Sequence, residues 1–436
     1  MDLADLVHAT GRMTRNRPAP IRLDDLAVPT FPSRIAEVRS AMAAMAALAP
    51  LEPEALLATA RAETGLDDVG DEAFVARLRV LTHALGTEGR LSDVGRVMAY
   101  RQLVQILENR LKVEALFARH PEIGRVPIRA PIVIVGLPRT GTTHLHNLMA
   151  ADPALRSLPY WESLEPVLLD DELPAPGEPD PRRARCDQAL WFVNESLPHF
   201  VRMHEMTTDH AHEEIQLLAL DVSTMLFETM GVLPSWRDAY AATDQRPSYR
   251  YLRRVLQAVQ WQRGGGRWVL KSPQHLEQLG PLVEVFPDAV VVFTHRDPAS
   301  VVASFVTMAA YTARMSVEPP IDLRAIGRYW SDRIADLFGA CVRDRHLVSP
   351  SRSTDVRFDD FMRDDLATVR RIYALAGQPV TADAEAAWAS FMATHPRGVH
   401  GTVEYDLAQF GLDAAEIRRA CAGYVERFGV VLEDRQ

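Results

Sequence analysis

Lysine is nearly absent from this 436-residue chain: of 48 basic residues only Lys112 and Lys271 are lysines. A protein that uses the permanently charged guanidinium almost everywhere keeps a lysine where a compact, movable ammonium is wanted, so Lys271 invites a chemical reason. Cysteine is scarce as well. Cys186, Cys341 and Cys421 are far apart and form no CxxC pair, which predicts a reduced, cytoplasmic protein without a zinc site. No apolar stretch is long enough to span a membrane, and the acidic start MDLADLVHATGRMTRNRP lacks the apolar core of a secretory leader. Positive charge is not in excess: the net charge of −10 argues against a general nucleic-acid binder while leaving room for a local basic pocket. His204, His210 and His212 form no HExxH-type motif, and no metal is expected.

What the chain does have is Pro131 to Ala150, PIVIVGLPRTGTTHLHNLMA. The β-branched run Ile132-Val133-Ile134-Val135 reads as a buried parallel strand, Gly136 to Gly141 as a turn, and the apolar-periodic remainder as a helix. Thr140, Gly141, Thr142 and Thr143 fall where that helix begins, with free N–H groups and the positive end of its dipole, a place that binds phosphate. The glycine spacing matches the triphosphate-binding pattern GxxxxGK[ST], but Thr142 occupies the lysine's place. Triphosphate chemistry is thereby disfavoured, and Arg139 supplies the loop with a fixed cation.

The rest of the chain arranges itself around this unit. Residues 1 to about 30 are proline-interrupted and read as a surface arm; helices are expected near 33–48, 53–63, 71–87 and 91–119. Residues 158–181 read as a proline-rich loop, 203–231 as a helix and 248–262 as another, ended by Gly264-Gly265-Gly266. A short strand from Arg267 delivers Lys271-Ser272-Pro273-Gln274-His275, and the apolar strand 289–294 delivers His295-Arg296-Asp297-Pro298 at the start of a helix through Ser304. Helix 323–345, a strand near 353–358 and helices 359–377, 382–394 and 413–429 complete the pattern. The expected fold is an α/β, P-loop-like, doubly wound parallel sheet flanked by helices, with a helical N-terminal cap over 1–125 and the α/β domain over 126–436. Three strand-end loops converge on one edge, suiting a ligand with two separated phosphates.

Here the chain resembles the sulfotransferases. GLPRTGTTH resembles their 5′-phosphosulfate loop, and HRDPASVVAS their 3′-phosphate motif, an arginine followed eight residues later by a serine, here Arg296 and Ser304. The wider layout, with WVLKSPQHL and a late HPRG segment, looks like the large bacterial branch over about residues 50 to 430. The resemblance implies 3′-phosphoadenosine-5′-phosphosulfate (PAPS) as donor and in-line transfer of its sulfuryl group to an acceptor hydroxyl or amine. It implies that Arg139, Thr140, Gly141, Thr142, Thr143, Arg296 and Ser304 hold the donor. His144 stands where the cytosolic branch has tryptophan, and the RKGxxGDWK segment is missing, with Arg397-Gly398 taking that part.

Arg139 and Lys271 would stabilise the charge of the transferring group, and His275 or Glu213 would take the acceptor's proton, His275 being favoured for its near-neutral pKa. His210 and His212 are expected to line the acceptor pocket. Other readings stay open: a non-catalytic binder of adenosine bisphosphate, or a P-loop kinase. The apolar residues of the helical cap and of Met225 to Leu233 suggest a lipophilic or aromatic alcohol as acceptor, and core packing explains them equally well.

Overall fold

Alternation along the central strand organises the structure. In the computed structural model, which describes residues 18–433, β1 (Ile132–Val135) pairs in parallel with β3 (Arg267–Lys271) on one side and β4 (Val290–His295) on the other. β2 (Leu155–Arg156) and β5 (Ser353–Arg357) complete a parallel sheet ordered β2-β3-β1-β4-β5. Successive side chains point to opposite faces. Ile132, Ile134, Val269 and Val292 pack with Leu145, Leu148, Val369 and Trp388 from the helices Thr142–Ala150, Asp365–Ala376 and Ala382–Thr394. Val133, Val135, Leu270, Val291 and Phe293 face the other way, onto the helices Arg246–Arg263, Pro298–Ala313 and Leu323–Asp344. Both faces are covered, as continuous apolar strands require.

The N-terminal helices Ser33–Ala43, Pro53–Thr64, Ala73–Thr87 and Asp93–Arg119 occur close to where periodicity places them. Ser92 caps the last, its hydroxyl accepting from the Gly95 amide at 3.1 Å. This 27-residue helix joins two cores. Its Leu103, Leu107 and Leu111 pack with the preceding helices and with Phe227, Trp236 and Tyr240, while Val113 and Leu116 enter the core of the sheet. Among the described residues no helix is long and apolar enough to cross a membrane.

Several elements differ from expectation. Of the expected arm, residues 1–17 lie outside the described residues; beyond them Leu23 and Leu26 are buried and Ile21 bonds to the backbone at Thr402, so this stretch is tied into the core. The helix expected over 203–231 is instead a loop followed by the short helix Ile215–Leu218 and 3-10 turns at Ala219–Asp221 and Met225–Met230. Tertiary bonds override its periodicity: the His212 amide donates to Leu158 O, and buried Asp221 is claimed by Arg77, Arg110 and Ser248. Helix 359–377 is split because Asp364 caps a new start, and 413–429 is split at Cys421. The loop at 158–181 contains the single-turn helix Tyr160–Leu164.

Candidate active site

At the end of β1 the chain turns under strict spatial limits. A Cβ on Gly136 would lie 1.9 Å from Thr294 Oγ1 on β4, so only glycine lets the loop lie this close to the neighbouring strand. Thr140 ties the loop down, its hydroxyl lying 2.7 Å from Leu137 O and 2.6 Å from Thr294 Oγ1. Arg139 and Gly141 take left-handed conformations, with φ of 71° and 91°, and the helix then starts at Thr142 without a side-chain cap. Its first amides and dipole therefore face outward, as an anion site requires. Arg139 reaches over the loop to donate to Met203 O at 2.6 Å, and its buried Nε has no partner among the described residues.

β3 brings Lys271 to the same edge. The residue is 2% exposed; its amide donates to Glu214 Oε2 at 2.8 Å, and its ammonium pairs with Glu213. Glu214 also lies 2.6 Å from His275 Nε2, whose Nδ1 is 2.6 Å from the Tyr249 hydroxyl. Burial would raise the Glu214 carboxyl, yet the bond and charge of His275 outweigh it and hold that carboxyl below its usual range. Both ring nitrogens of His275 are thus engaged in the core, and its exposure is 0%.

β4 ends at Arg296. Its Nε and Nη2 donate to the Glu433 carboxylate at 2.5 and 2.8 Å, Nη1 donates to Arg139 O at 2.7 Å, and its guanidinium stacks over Phe358. In the following helix, N-capped by Asp297, Ser304 is buried and its hydroxyl has no partner among the described residues.

A cavity of about 950 Å3 opens beside these strand ends. Of the residues anticipated from sequence, Arg139, Gly141, Thr142, Thr143, His144, Arg296, Arg397 and Gly398 line it. Thr140, Ser304, Lys271, Glu213 and His275 are not among the lining residues. His144 Nε2 lies 3.0 Å from Asp365 Oδ2, which Arg397 also holds at 2.9 Å, so one carboxylate links the two foreseen positions. Burial lowers the His144 pKa, with the Asp365 bond partly opposing it.

Sequence reading passed over Phe358, Phe361 and Phe391, which give the cavity aromatic walls, and His204, which lines it with His210. Nothing in their local pattern marks them: Phe358 and Phe361 share the short helix Phe358–Arg363, Phe391 lies on Ala382–Thr394 and His204 on a loop. None of residues 18–125 lines this cavity; Glu88, Gly89 and Arg90 instead border a smaller one of about 300 Å3 beneath the N-terminal helices.

Solved structures similar to this one include sulfotransferase STF1 from Mycobacterium tuberculosis H37Rv, 30% identical over 85% of this chain and 98% of that one, with a TM-score of 0.75. Sulfotransferase STF9 from Mycobacterium avium is 25% identical over 88% of this chain and 98% of its own, with a TM-score of 0.78. The omega-hydroxy-beta-dihydromenaquinone-9 sulfotransferases Stf3 of Mycobacterium bovis and Mycobacterium tuberculosis are each 27% identical over 271 residues, 57% of this chain and 62% of theirs, so the match covers less than two thirds of their length. The family model described as the sulfotransferase family matches residues 131–382, from the strand before the phosphate loop to the start of the helix Ala382–Thr394, and the chain belongs to that family.

Proposed function

We propose that the protein transfers a sulfuryl group from PAPS to a hydroxyl, or an amine, of a small apolar acceptor. The observation that carries this reading is the meeting, at one cavity, of an uncapped helix start flanked by Arg139 with Arg296, ahead of a buried and unpartnered Ser304 hydroxyl. An orphaned buried hydroxyl and a loop kept close by Gly136 suit the two phosphate-bearing ends of this donor.

When bound, PAPS supplies a sulfuryl group already attached to a good leaving phosphate. Gly141, Thr142 and Thr143 hold its 5′ end, with Thr140, bonded through amide and hydroxyl to Leu137 O, bracing the loop from within; Arg296 and Ser304 hold the 3′-phosphate. His144, Arg397 and Gly398 border the adenosine side. The Lys271 ammonium stabilises charge on the departing oxygen, with Arg139 beside it. Proton removal from the acceptor falls to Glu213, which is already in contact with Lys271, while His275, closed in by Glu214 and Tyr249, positions the β3 end. Val201, Met203, Met362 and Phe391 on the cavity wall favour an apolar acceptor alcohol. The relatives named for a hydroxylated dihydromenaquinone fit that class. Three free, buried cysteines suit a reducing, cytoplasmic setting.

Calorimetric titration with 3′-phosphoadenosine-5′-phosphate tests this. Binding is expected, and Arg296→Ala should weaken it roughly 10- to 100-fold, the worth of a charge-assisted contact. Absence of binding, or ATP binding as tightly, would refute the assignment.

A further inference from the structure

We infer that His204, His210 and His212 form a site for one divalent transition cation, zinc in particular, with an open coordination position toward the cavity. One ring nitrogen from each lies within 4.8 Å of the others, though the three residues span nine positions of an irregular loop. Tetrahedral zinc with bonds of about 2.0–2.1 Å holds its nitrogen ligands roughly 3.3 Å apart. His210 Nε2 and His212 Nδ1 are already 3.0 Å apart, and a ring nitrogen of His204 lies within 4.8 Å of both.

The loop is held in this shape by its backbone. The His212 amide donates to Leu158 O at 2.7 Å, the Tyr160 amide to His210 O at 3.1 Å, the His204 amide to Phe200 O at 2.7 Å, and the Ala211 amide to Asn147 Oδ1 at 3.0 Å. A second feature belongs to ligating histidines rather than to surface ones. His210 Nδ1 lies 2.6 Å from Thr207 O and 3.2 Å from the Thr207 amide, contacts that hold the ring with Nε2 facing His212. Tyr160 packs against both the His210 and His212 rings and restrains their tilt.

The imidazole set selects zinc or its neighbours over magnesium or calcium, which prefer oxygen. His204 and His210 line the cavity, so a fourth ligand would enter from the space assigned above to the acceptor. That last point rests on the proposed function, whereas the cation site itself does not.

The test uses the full chain stripped with a chelator and titrated with Co2+, then Zn2+. One equivalent of Co2+ should bind with the intense visible absorption of a four-coordinate site, and one equivalent of Zn2+ should abolish it. His210→Asn and His212→Asn should each weaken binding on the order of 100-fold, while His120→Asn, remote from the trio, leaves it unchanged. Circular dichroism and the thermal midpoint show whether each variant is folded, and titration with 3′-phosphoadenosine-5′-phosphate, run in parallel, tests the donor assignment separately. Sub-stoichiometric binding to the wild type, or binding unaltered by both loop variants, would overturn the site.

Discussion

Gly136→Ala probes the phosphate loop with a single methyl group. The new Cβ would stand 1.9 Å from Thr294 Oγ1, 3.1 Å from Thr140 Oγ1 and 3.2 Å from Thr142 Cγ2. Ordinary contact needs about 3.5–4.0 Å, so loop and β4 must separate by more than an ångström. Overpacking of this kind costs about 1–3 kcal/mol, and parting the Thr140–Thr294 hydrogen bond adds about 0.5–1.5 kcal/mol. The single variant should therefore lose about 1.5–4.5 kcal/mol. Thr294→Ala removes the obstructing oxygen and should cost about 1–2 kcal/mol, since Thr140 keeps its bond to Leu137 O. The double variant should be more stable than the sum of the two losses by about 1–3 kcal/mol, measured by denaturant midpoints at unchanged slope. Additivity within about 0.5 kcal/mol would refute the claim that steric exclusion by Thr294 is why glycine is needed here.

Two further outcomes follow from buried charge. Arg333 is 2% exposed and bonds Glu228 at 3.1 Å and Glu277 at 2.7 and 2.5 Å, so Arg333→Met should destabilise by about 3–5 kcal/mol, with much of the loss regained when Glu228→Gln and Glu277→Gln are added; thermal unfolding of the series checks it. Burial first, then hydrogen bonding to Glu63, pushes the Glu108 carboxyl up to about 7 from 4.5. A carboxyl that holds its proton more tightly when folded makes stability fall as pH rises through that window. Glu108→Gln should therefore gain about 1–2 kcal/mol at pH 8, after allowance for solvent screening, and little at pH 4; equal gains at both would exclude this proton as the cause.

The sheet was readable because its chemistry is local. β1 and β4 are β-branched runs buried on both faces, and the loops after them carry their glycine, proline and arginine within a few residues. β2 was missed because two residues make no pattern; it exists through its pairing with Arg267 and Trp268. The segment after Met203 deceived for the opposite reason, since its apolar spacing is real but its polar groups are claimed from elsewhere, by Leu158 O and by the arginines on Asp221. Histidine spacing along the chain could not expose the His204, His210 and His212 cluster, because a turn rather than a helix brings their rings together. His275 looked available for the same kind of reason: adjacency to Lys271 says nothing of Tyr249 and Glu214, 26 and 61 residues away.

The near absence of lysine has a spectroscopic consequence. Lys271 is buried against Glu213, and the other lysine, Lys112, is held 2.5 Å from Glu172 at a partly exposed position on the N-terminal helix. Feeding isotope-labelled lysine would therefore yield a protein with just two side-chain ammonium resonances, separable by a Lys112→Arg variant. One of the two belongs to the strand end where the transfer is placed, so the protein carries its own reporter of protonation and ligand arrival in that site.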